Sequence, residues 1–222
     1  MTFHILTIFP ELFAPYLGES IIGKGIKSGK IKVKIYDLRR FTKDKRHRVD
    51  DKVYGGGPGM VLRVEPLSRA LEYILKGKNK SKTLVVLTAP AGREFSNKLA
   101  SVWAKKYEHI VVIAGRYEGF DERIKSVIKN GMGFSVQEIS VGPYVLTGGE
   151  IPALIIVDAT SRQIPGVLGK SESIEESRYG VGMPTYTRPE IFQFKDKKYK
   201  VPGVLLSGNH AKVDKWRKTK TN

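Results

Sequence analysis

The chain has 222 residues, with 39 Lys and Arg against 22 Asp and Glu, and a formal net charge of +17. Hydrophobic residues make up 41% of it, enough to bury a core. Because it contains no cysteine, disulfide scaffolds, thiolate zinc sites, iron–sulfur clusters and cysteine nucleophiles are excluded. The charge favours an anionic polymer as partner and would suit a ribosomal protein equally well.

The sequence predicts a protein that is soluble and cytoplasmic and has no membrane partner. Its apolar runs stay well below the roughly 20 residues that cross a bilayer. The first apolar stretch lacks the preceding basic region of a signal peptide.

Strands and helices alternate along the first part of the chain. Residues 3–9 predict a strand, and residues 31–36 alternate apolar residues with lysine as a half-exposed strand does. Residues 84–88 and 110–114 are short uncharged runs typical of strands buried on both faces. Strand, helix and strand in this order predict a parallel crossover and an α/β fold. The apolar faces of the two predicted helices are Leu67, Ala70, Leu71, Ile74 and Leu75, and then Phe95, Leu99, Val102 and Trp103.

The amino-acid composition then changes along the rest of the chain. Residues 148–164 predict a helix that is apolar on every face, so a sheet or a second subunit must cover it, and Thr147 with Glu150 predicts a capping box at its start. The polar, Gly-rich stretch that follows predicts a linker. We therefore expect a main domain at 1–165, a flexible linker at 166–182 and a small basic domain at 183–222.

Two Gly-rich segments suggest phosphate binding. Residues 18–25 nearly spell a nucleotide phosphate loop, but Gly25 stands where a magnesium-binding hydroxyl is needed, and a helix–turn piece is the better prediction. The second segment exposes backbone N–H groups beside a basic stretch. It predicts either a clamp on a phosphate backbone or a mobile loop on a solvated face. Its residues are Gly55, Gly56, Gly57, Pro58, Gly59 and Met60.

Two further motifs lie where strands end or helices begin. Residues 115–123 follow the buried strand 110–114, and ligands of open parallel sheets bind beyond the carboxyl ends of strands. An ordinary salt-bridged turn is the alternative. Residues 140–150 are apolar and Gly-rich and could hold an aromatic base by its edges and faces, or simply connect a strand to a helix.

Six ordered motifs resemble those of the bacterial tRNA (guanine-37-N1)-methyltransferase family of the SPOUT superfamily. They are YGGGPGM, GRYEGFDER, SVGPYVLTGGEIPA, SRQIPGVLG, YTRPE and VLLSGNHA, and the match covers nearly the whole chain. The resemblance implies an α/β domain with a parallel sheet and a deep C-terminal trefoil knot, followed by a small helical C-terminal domain. It also implies a homodimer with each active site at the subunit interface.

The resemblance further implies S-adenosylmethionine as methyl donor and the tRNA anticodon stem–loop as partner. Magnesium is implied on the same ground only, because the sequence shows no metal-ligand cluster. The donor-binding positions carried over from the family are Leu87, Thr88, Ala89, Pro90, Gly115, Arg116, Tyr117, Glu118, Ser140, Val141, Gly142, Pro143, Tyr144, Val145, Leu146, Gly148, Gly149 and Pro152.

The resemblance also assigns catalytic roles, and here the chain departs from the family. Arg162 matches the catalytic arginine, although an ion pair with Asp158 would also explain it. The family's linker aspartate is replaced: Ser177 takes its position without a gap, and Glu176 does with one deletion. We favour Glu176 as the base, with Glu175 second, and Glu118 as a residue that orients the donor. Ser177, Asn209 and His210, with the loop at 55–60, would contact tRNA.

Two other classes of protein remain open at this stage. A ribose 2′-O-methyltransferase of the same superfamily would share the donor pocket and need no linker carboxylate. An RNA-binding or ribosome-associated module would explain the charge without any donor pocket.

Overall fold

The computed structural model describes residues 1–169 and 182–220, which fall in two compact units divided between Gly169 and Lys170. The first unit is built on a five-stranded parallel sheet with the order β2-β1-β6-β5-β7. These strands are β1 (Thr2–Thr7), β2 (Lys32–Asp37), β5 (Thr83–Glu94), β6 (His109–Ile113) and β7 (Ser135–Ser140). A separate antiparallel hairpin joins β3 (Asp50–Lys52) to β4 (Met60–Leu62).

Helices cover both faces of the sheet. They are α1 (Ala14–Leu17), α2 (Ser20–Lys27), α3 (Val64–Leu75), α4 (Asn97–Lys106), α5 (Arg123–Ser126) and α6 (Glu150–Arg162), with a π-helical turn at Val127–Met132. One core layer joins the sheet to α2, α4 and α6, and the other joins it to α3 and α5. Because strand side chains alternate between faces, Phe3 and Ile5 enter the first layer and Leu6 the second.

The predicted α/β fold with a parallel sheet is confirmed, and most element positions hold. Strands 84–88 and 110–114 are buried, and the helix through Leu67 runs from Val64 to Leu75. The second helix was predicted too long, because Phe95 precedes it and Ser96 caps it by accepting a hydrogen bond from Leu99 N at 3.3 Å. Val102, predicted on its apolar face, is exposed.

The near phosphate loop at 18–25 is a helical turn, as predicted. Gly18 ends α1, and Ser20–Lys27 forms α2. Gly25 packs against the side chain of Ile31 inside the fold. The backbone N–H groups of this segment are therefore engaged in a helix and do not form a phosphate cradle.

Helix α6 is buried on one side only. Ala153, Ile156 and Val157 reach the core, whereas Ile151 is 58% and Ile155 37% exposed. The predicted capping box is wrong: Gly149 is the N-cap residue, and no side chain caps the helix. We expected the sheet or a second subunit to cover every face of this helix. Within the chain, the core covers one side of it, and the side with Ile151 and Ile155 is exposed.

The second unit contains a hairpin that the sequence did not predict. Strands β8 (Ile191–Phe194) and β9 (Lys197–Lys200) pair antiparallel, and α7 (Gly203–Leu206) and α8 (His210–Lys218) follow. All eight residues of the two strands are exposed within the described chain. The alternation of apolar and polar residues that marks a strand is missing here, because lysines occupy both faces of β9.

Candidate functional site

The site forms where β1, β5, β6 and β7 end together. Thr88, near the turn where β5 leaves the ladder, is buried, and its hydroxyl donates to the carbonyl oxygen of Ile113 at 3.1 Å. The same hydroxyl oxygen accepts a hydrogen bond from Gly115 N at 2.9 Å. One threonine thus ties the ends of two neighbouring strands together and fixes the start of the 115–123 loop.

Strand β5 is interrupted at this edge. Thr88 and Arg93 both pair with Ile139 of β7, so residues 89–92 leave the ladder and return to it. Gly92 lies so close to β7 that an added Cβ would come within 2.6 Å of the carbonyl carbon of Glu138. The excursion places Ala89 and Pro90 above the sheet edge beside the 140–146 segment.

An ion pair between a buried carboxylate and a partly exposed guanidinium joins the start of α6 to the loop after β6. Arg116 Nε donates to Glu150 Oε2 at 2.9 Å, and Thr7 Oγ1 donates to Glu150 Oε1 at 3.0 Å. Arg116 also lies over the Phe9 ring, 4.5 Å from its centroid, and donates to the carbonyl oxygen of Thr147 at 3.2 Å. This explains why the capping box fails: Glu150 binds a cation and a hydroxyl, and charge-assisted hydrogen bonds are stronger than neutral ones.

Two glycines let α6 approach the strand ends. Gly149 N donates to the carbonyl oxygen of Gly115 at 2.7 Å. An added Cβ at Gly149 would clash with the Thr88 hydroxyl and with Gly115 N, and would lie 2.8 Å from Ala114 Cα. At Gly148, a Cβ would meet the guanidinium of Arg116 and come within 2.6 Å of Glu150 Oε2. Position 149 therefore requires glycine because backbone atoms are in the way. A Cβ at Gly148 would instead displace the ion-paired side chains of Arg116 and Glu150.

The segment after β7 folds over a small apolar cleft. Ser140 Oγ donates to the carbonyl oxygen of Gly142 at 2.8 Å, and the Tyr144 hydroxyl donates to that of Val141 at 3.1 Å. Tyr144 and Val145 are themselves 52% and 81% exposed. The cleft encloses about 30 Å³, and it is lined by Ala89, Pro90, Ile139, Ser140, Val141, Tyr144, Leu146 and Pro152.

Most of the positions carried over for the methyl donor thus meet at one edge of the sheet. Ile139 is an additional lining residue that was missed, because it is the buried next-to-last residue of a strand and has no motif of its own. A pocket for a small molecule normally measures about 300–1,000 Å³. The cleft is far smaller than this.

The glycine-rich loop and the 115–123 motif, predicted separately, are joined in space. Glu118 N donates to the carbonyl oxygen of Met60 at 2.9 Å, and Leu62 N donates to that of Gly119 at 3.0 Å. The Glu118 carboxylate lies against Gly59, where an added Cβ would be 2.6 Å from Oε1. Gly59 has a φ of +108°, so both its conformation and its space require glycine.

The remaining part of that loop is exposed. Gly55, Gly56 and Gly57 all have positive φ, and an added Cβ would meet nothing within 4 Å. Glycine therefore serves backbone conformation there. Next to the loop, the β3–β4 hairpin and residues 120–123 enclose a cleft of about 820 Å³ whose walls include Lys52, Tyr54 and Arg123.

Arg162 does not lie with these residues in the same chain. It is the last residue of α6, and Glu150 at the site is the first. A helix rises 1.5 Å per residue, so roughly 18 Å separates the two Cα atoms. Asp158, considered as a partner of Arg162, accepts a hydrogen bond from the Tyr16 hydroxyl at 2.6 Å, and this bond raises the pKa of Tyr16 to about 12.

The other predicted catalytic and tRNA-binding residues fall outside the described residues or in the second unit. Glu176, with Glu175 and Ser177, lies outside the described residues. In the second unit Asn209 caps α8 by accepting a hydrogen bond from Lys212 N at 3.1 Å, and His210 is the exposed first residue of that helix. Asn209 thus has a structural task in addition to its predicted one.

Two kinds of feature are absent from residues 1–169 and 182–220. Within those residues, no three His, Cys, Asp or Glu side chains come together in a way that could hold a metal ion. Within the same ranges, none of the helices has both the length and the apolar character to span a bilayer.

Comparison with known proteins gives one consistent result. The family model described as tRNA (guanine-1)-methyltransferase TrmD matches residues 1–222. A tRNA (guanine-N(1)-)-methyltransferase of Pediococcus pentosaceus is 42% identical over 100% of this chain and 86% of its own length. That of Carboxydothermus hydrogenoformans is 45% identical over 98% and 81%, and that of Clostridioides difficile is 43% identical over 98% and 91%.

Proposed function

Because the chain belongs to the tRNA (guanine-1)-methyltransferase family, we propose that it transfers a methyl group from S-adenosylmethionine to N1 of guanine 37 in tRNA, next to the anticodon. The observation that carries this proposal is the family match along the entire chain. The convergence of the donor motifs at the carboxyl edge of the sheet, where α/β proteins bind ligands, supports it.

The residues around the small cleft fit the methyl donor. Pro90, Ile139 and Leu146 offer apolar walls for the faces of an adenine ring, and the backbone of 141–146 offers donors and acceptors for its edge. Glu118, in the 115–123 loop, supplies a carboxylate that lies against Gly59, in keeping with an orienting role towards a cation. When bound, S-adenosylmethionine supplies an electrophilic methyl group on a sulfonium centre.

The chemistry requires a base and an electrostatic partner. N1 of guanine carries a proton, so its lone pair is unavailable until that proton leaves. A carboxylate within about 2.6–3.2 Å accepts it, and we assign this role to Glu176. Negative charge then spreads to O6 of guanine, where the guanidinium of Arg162 stabilises it.

The position of Arg162 supports a homodimer. Its distance of roughly 18 Å from the start of α6 suits a residue that serves the site of a second copy. The exposed side chains of Ile151 and Ile155 on the same helix provide an apolar surface for that copy. The site would then combine the donor cleft of one protomer with Arg162 of the partner subunit.

Four further parts of the proposal rest mainly on family membership. The trefoil knot rests on that membership alone. The domain boundaries at 165 and 182, action in the cytoplasm beside the tRNA pool, and a magnesium requirement stay predictions.

Methylation of an anticodon stem–loop transcript tests the proposed function. Transcripts with guanine, adenine or inosine at position 37 are incubated with labelled donor, and mass spectrometry locates the added methyl group. We expect methylation of N1 in the guanine transcript and none in the adenine transcript, because adenine carries an amino group in place of the O6 that Arg162 stabilises in the proposed mechanism. A methyl group on the ribose 2′-oxygen would identify the sibling activity instead, and failure to bind the donor would leave only an RNA-binding module.

A further inference from the structure

The amino end of the sheet, opposite the cleft, carries a concentration of lysine. Three segments approach or enter the strands there: residues 30–34, 76–82 and 105–109. Together they contain one glutamate, Glu108, and no arginine or aspartate. We call this the amino-end surface, and its lysines are Lys30, Lys32, Lys34, Lys76, Lys78, Lys80, Lys82, Lys105 and Lys106.

Backbone pairing holds these segments side by side. Thr2 pairs with Lys32 of β2 and with His109 of β6, and His109 pairs with Thr83 of β5. Glu108 N donates to the carbonyl oxygen of Lys82 at 2.8 Å. Neighbouring strands lie about 4.8 Å apart, so the row from Lys32 to β5 spans roughly 14 Å.

The described residues do not neutralise the lysines of this surface through ion pairs. Among residues 1–169 and 182–220, none of its lysines forms an ion pair with a carboxylate. Lys80 and Lys106 lie over the rings of Phe134 and Tyr107, at 5.9 and 5.0 Å from the centroids. Such like charges repel one another, and an anionic partner relieves that repulsion.

The lysines are also close enough to affect one another. Burial lowers the pKa of Lys78, and the charge of Lys34 lowers it further. Burial is likewise the main cause of the lowered pKa of His109, to which the charges of Lys78 and the amino terminus contribute. The amino-end surface therefore presents closely spaced positive charges to solvent.

We propose that the amino-end surface binds the phosphate backbone of tRNA outside its anticodon arm. This inference rests on the proposed function, in which tRNA is the substrate. β1 rises about 3.3 Å per residue, so its two ends are roughly 17 Å apart, and the surface lies at the end of the sheet opposite the cleft of its own protomer. Lysine without arginine suits sequence-independent contacts, because an ammonium group is a point charge that positions phosphate without reading bases.

A lipid bilayer is the less suitable partner for this surface. Peripheral membrane segments combine lysines with exposed large apolar side chains that enter the acyl boundary. In the three segments Ile31 and Tyr107 are buried, and no large apolar side chain there is exposed. The composition of the exposed residues is that of a phosphate-binding surface alone.

Two charge-reversal pairs test the proposal. Lys32→Glu with Lys82→Glu alters two exposed lysines of the surface, and Lys24→Glu with Lys98→Glu makes the same change in net charge at two exposed lysines on α2 and α4. Dissociation constants are measured for full-length tRNA and for the isolated anticodon stem–loop over a range of salt concentrations. Donor binding and circular dichroism verify that both variants fold.

The first pair should bind full-length tRNA roughly tenfold more weakly, with the slope of log Kd against log salt reduced by about 2. Its affinity for the stem–loop should equal that of the wild type, and the second pair should keep both affinities. Equal losses in both pairs, no loss in either, or an equal loss for the stem–loop would overturn the proposal. A wild type that binds tRNA but does not methylate guanine 37 would contradict the proposed function alone.

Discussion

The two ends of the parallel sheet differ in whether their charged side chains form ion pairs. At the carboxyl end arginines face acids: Arg116 binds Glu150 at 2.9 Å and Arg123 binds Asp121 at 2.5 Å. At the amino end lysines such as Lys32 and Lys82 face solvent without an ion pair in the described part of the chain. Charge that is paired within the protein helps to hold a site in shape, whereas unpaired exposed charge acts over distance on a mobile polymer.

This contrast predicts where each kind of change acts. Alterations at the carboxyl end, where a side chain has fixed partners, should reduce donor binding, methyl transfer or stability. Charge changes at the amino end should leave methyl transfer to a short RNA intact. The predictions below test that division, beginning with the largest expected effect.

Loss of the base should have the largest effect. Glu176→Gln removes the carboxylate that accepts the N1 proton, and methyl transfer should fall by about 10²- to 10⁴-fold, the usual contribution of a general base. Donor affinity, measured by calorimetry, should stay within about twofold. Glu175→Gln is the matched control and should retain activity. If the two variants exchange these results, Glu175 is the base and the linker alignment is shifted by one residue.

The ion pair at the carboxyl end should dominate stability. Arg116→Met leaves the Glu150 carboxylate, 4% exposed, without its cation, and we expect a loss of about 3–5 kcal/mol in the free energy of unfolding. Urea denaturation measures it. The double variant with Glu150→Met should cost less than the sum of the two single losses, because no isolated charge remains. Additive losses would show that the two side chains act independently.

Close packing at the strand ends should be sensitive to a single methyl group. Gly149→Ala would press a Cβ into Thr88 and Gly115, and overpacking of this kind costs about 1–3 kcal/mol. Gly131→Ala is the control near the other end of the sheet, since an added Cβ there meets nothing within 4 Å. Thermal unfolding should separate the two variants. Equal melting temperatures would mean that α6 moves away from the strands without cost.

The amino end should make stability depend on pH. Burial is the main cause that lowers the pKa of His4 to about 3, with contributions from Lys78, His109 and Lys34. The unfolded chain, with an ordinary histidine pKa of about 6.5, takes up the proton first, so stability is complete above pH 6.5 and declines as the pH falls towards 3. The slope should reach about 1 kcal/mol per pH unit.

Replacing that histidine isolates its contribution. His4 accepts or donates hydrogen bonds with the Tyr36 hydroxyl at 3.1 Å and with His109 Nδ1 at 3.2 Å. His4→Phe should flatten the stability profile between pH 6.5 and 4.5, a range that lies above the titration of ordinary carboxyl groups. The lowered pKa of His109 leaves a smaller residual slope. An unchanged profile would assign the acid sensitivity to another group.

Much of the fold could be predicted because buried strands and helices carry regular patterns of apolar residues. The uncharged runs at 84–88 and 110–114 became central strands, and the 3.6-residue spacing through Leu67 and Leu71 became α3. Exposed elements were less visible: the hairpin of β8 and β9 has no buried face and so no apolar alternation. The loss of strand character after Thr7 was missed too, since Ile8 stays buried in a turn.

The sequence alone determined the strand and helix types, the position of the Gly-rich loops and, through its ordered motifs, the family. Only the tertiary structure decided that Glu150 binds Arg116 and Thr7, that Gly59 lies against Glu118, and that Arg162 lies far from the cleft of its own chain. Local patterns record backbone preference and burial within a few residues. Partners distant in sequence depend on how strands are ordered in the sheet, and no local pattern carries that order.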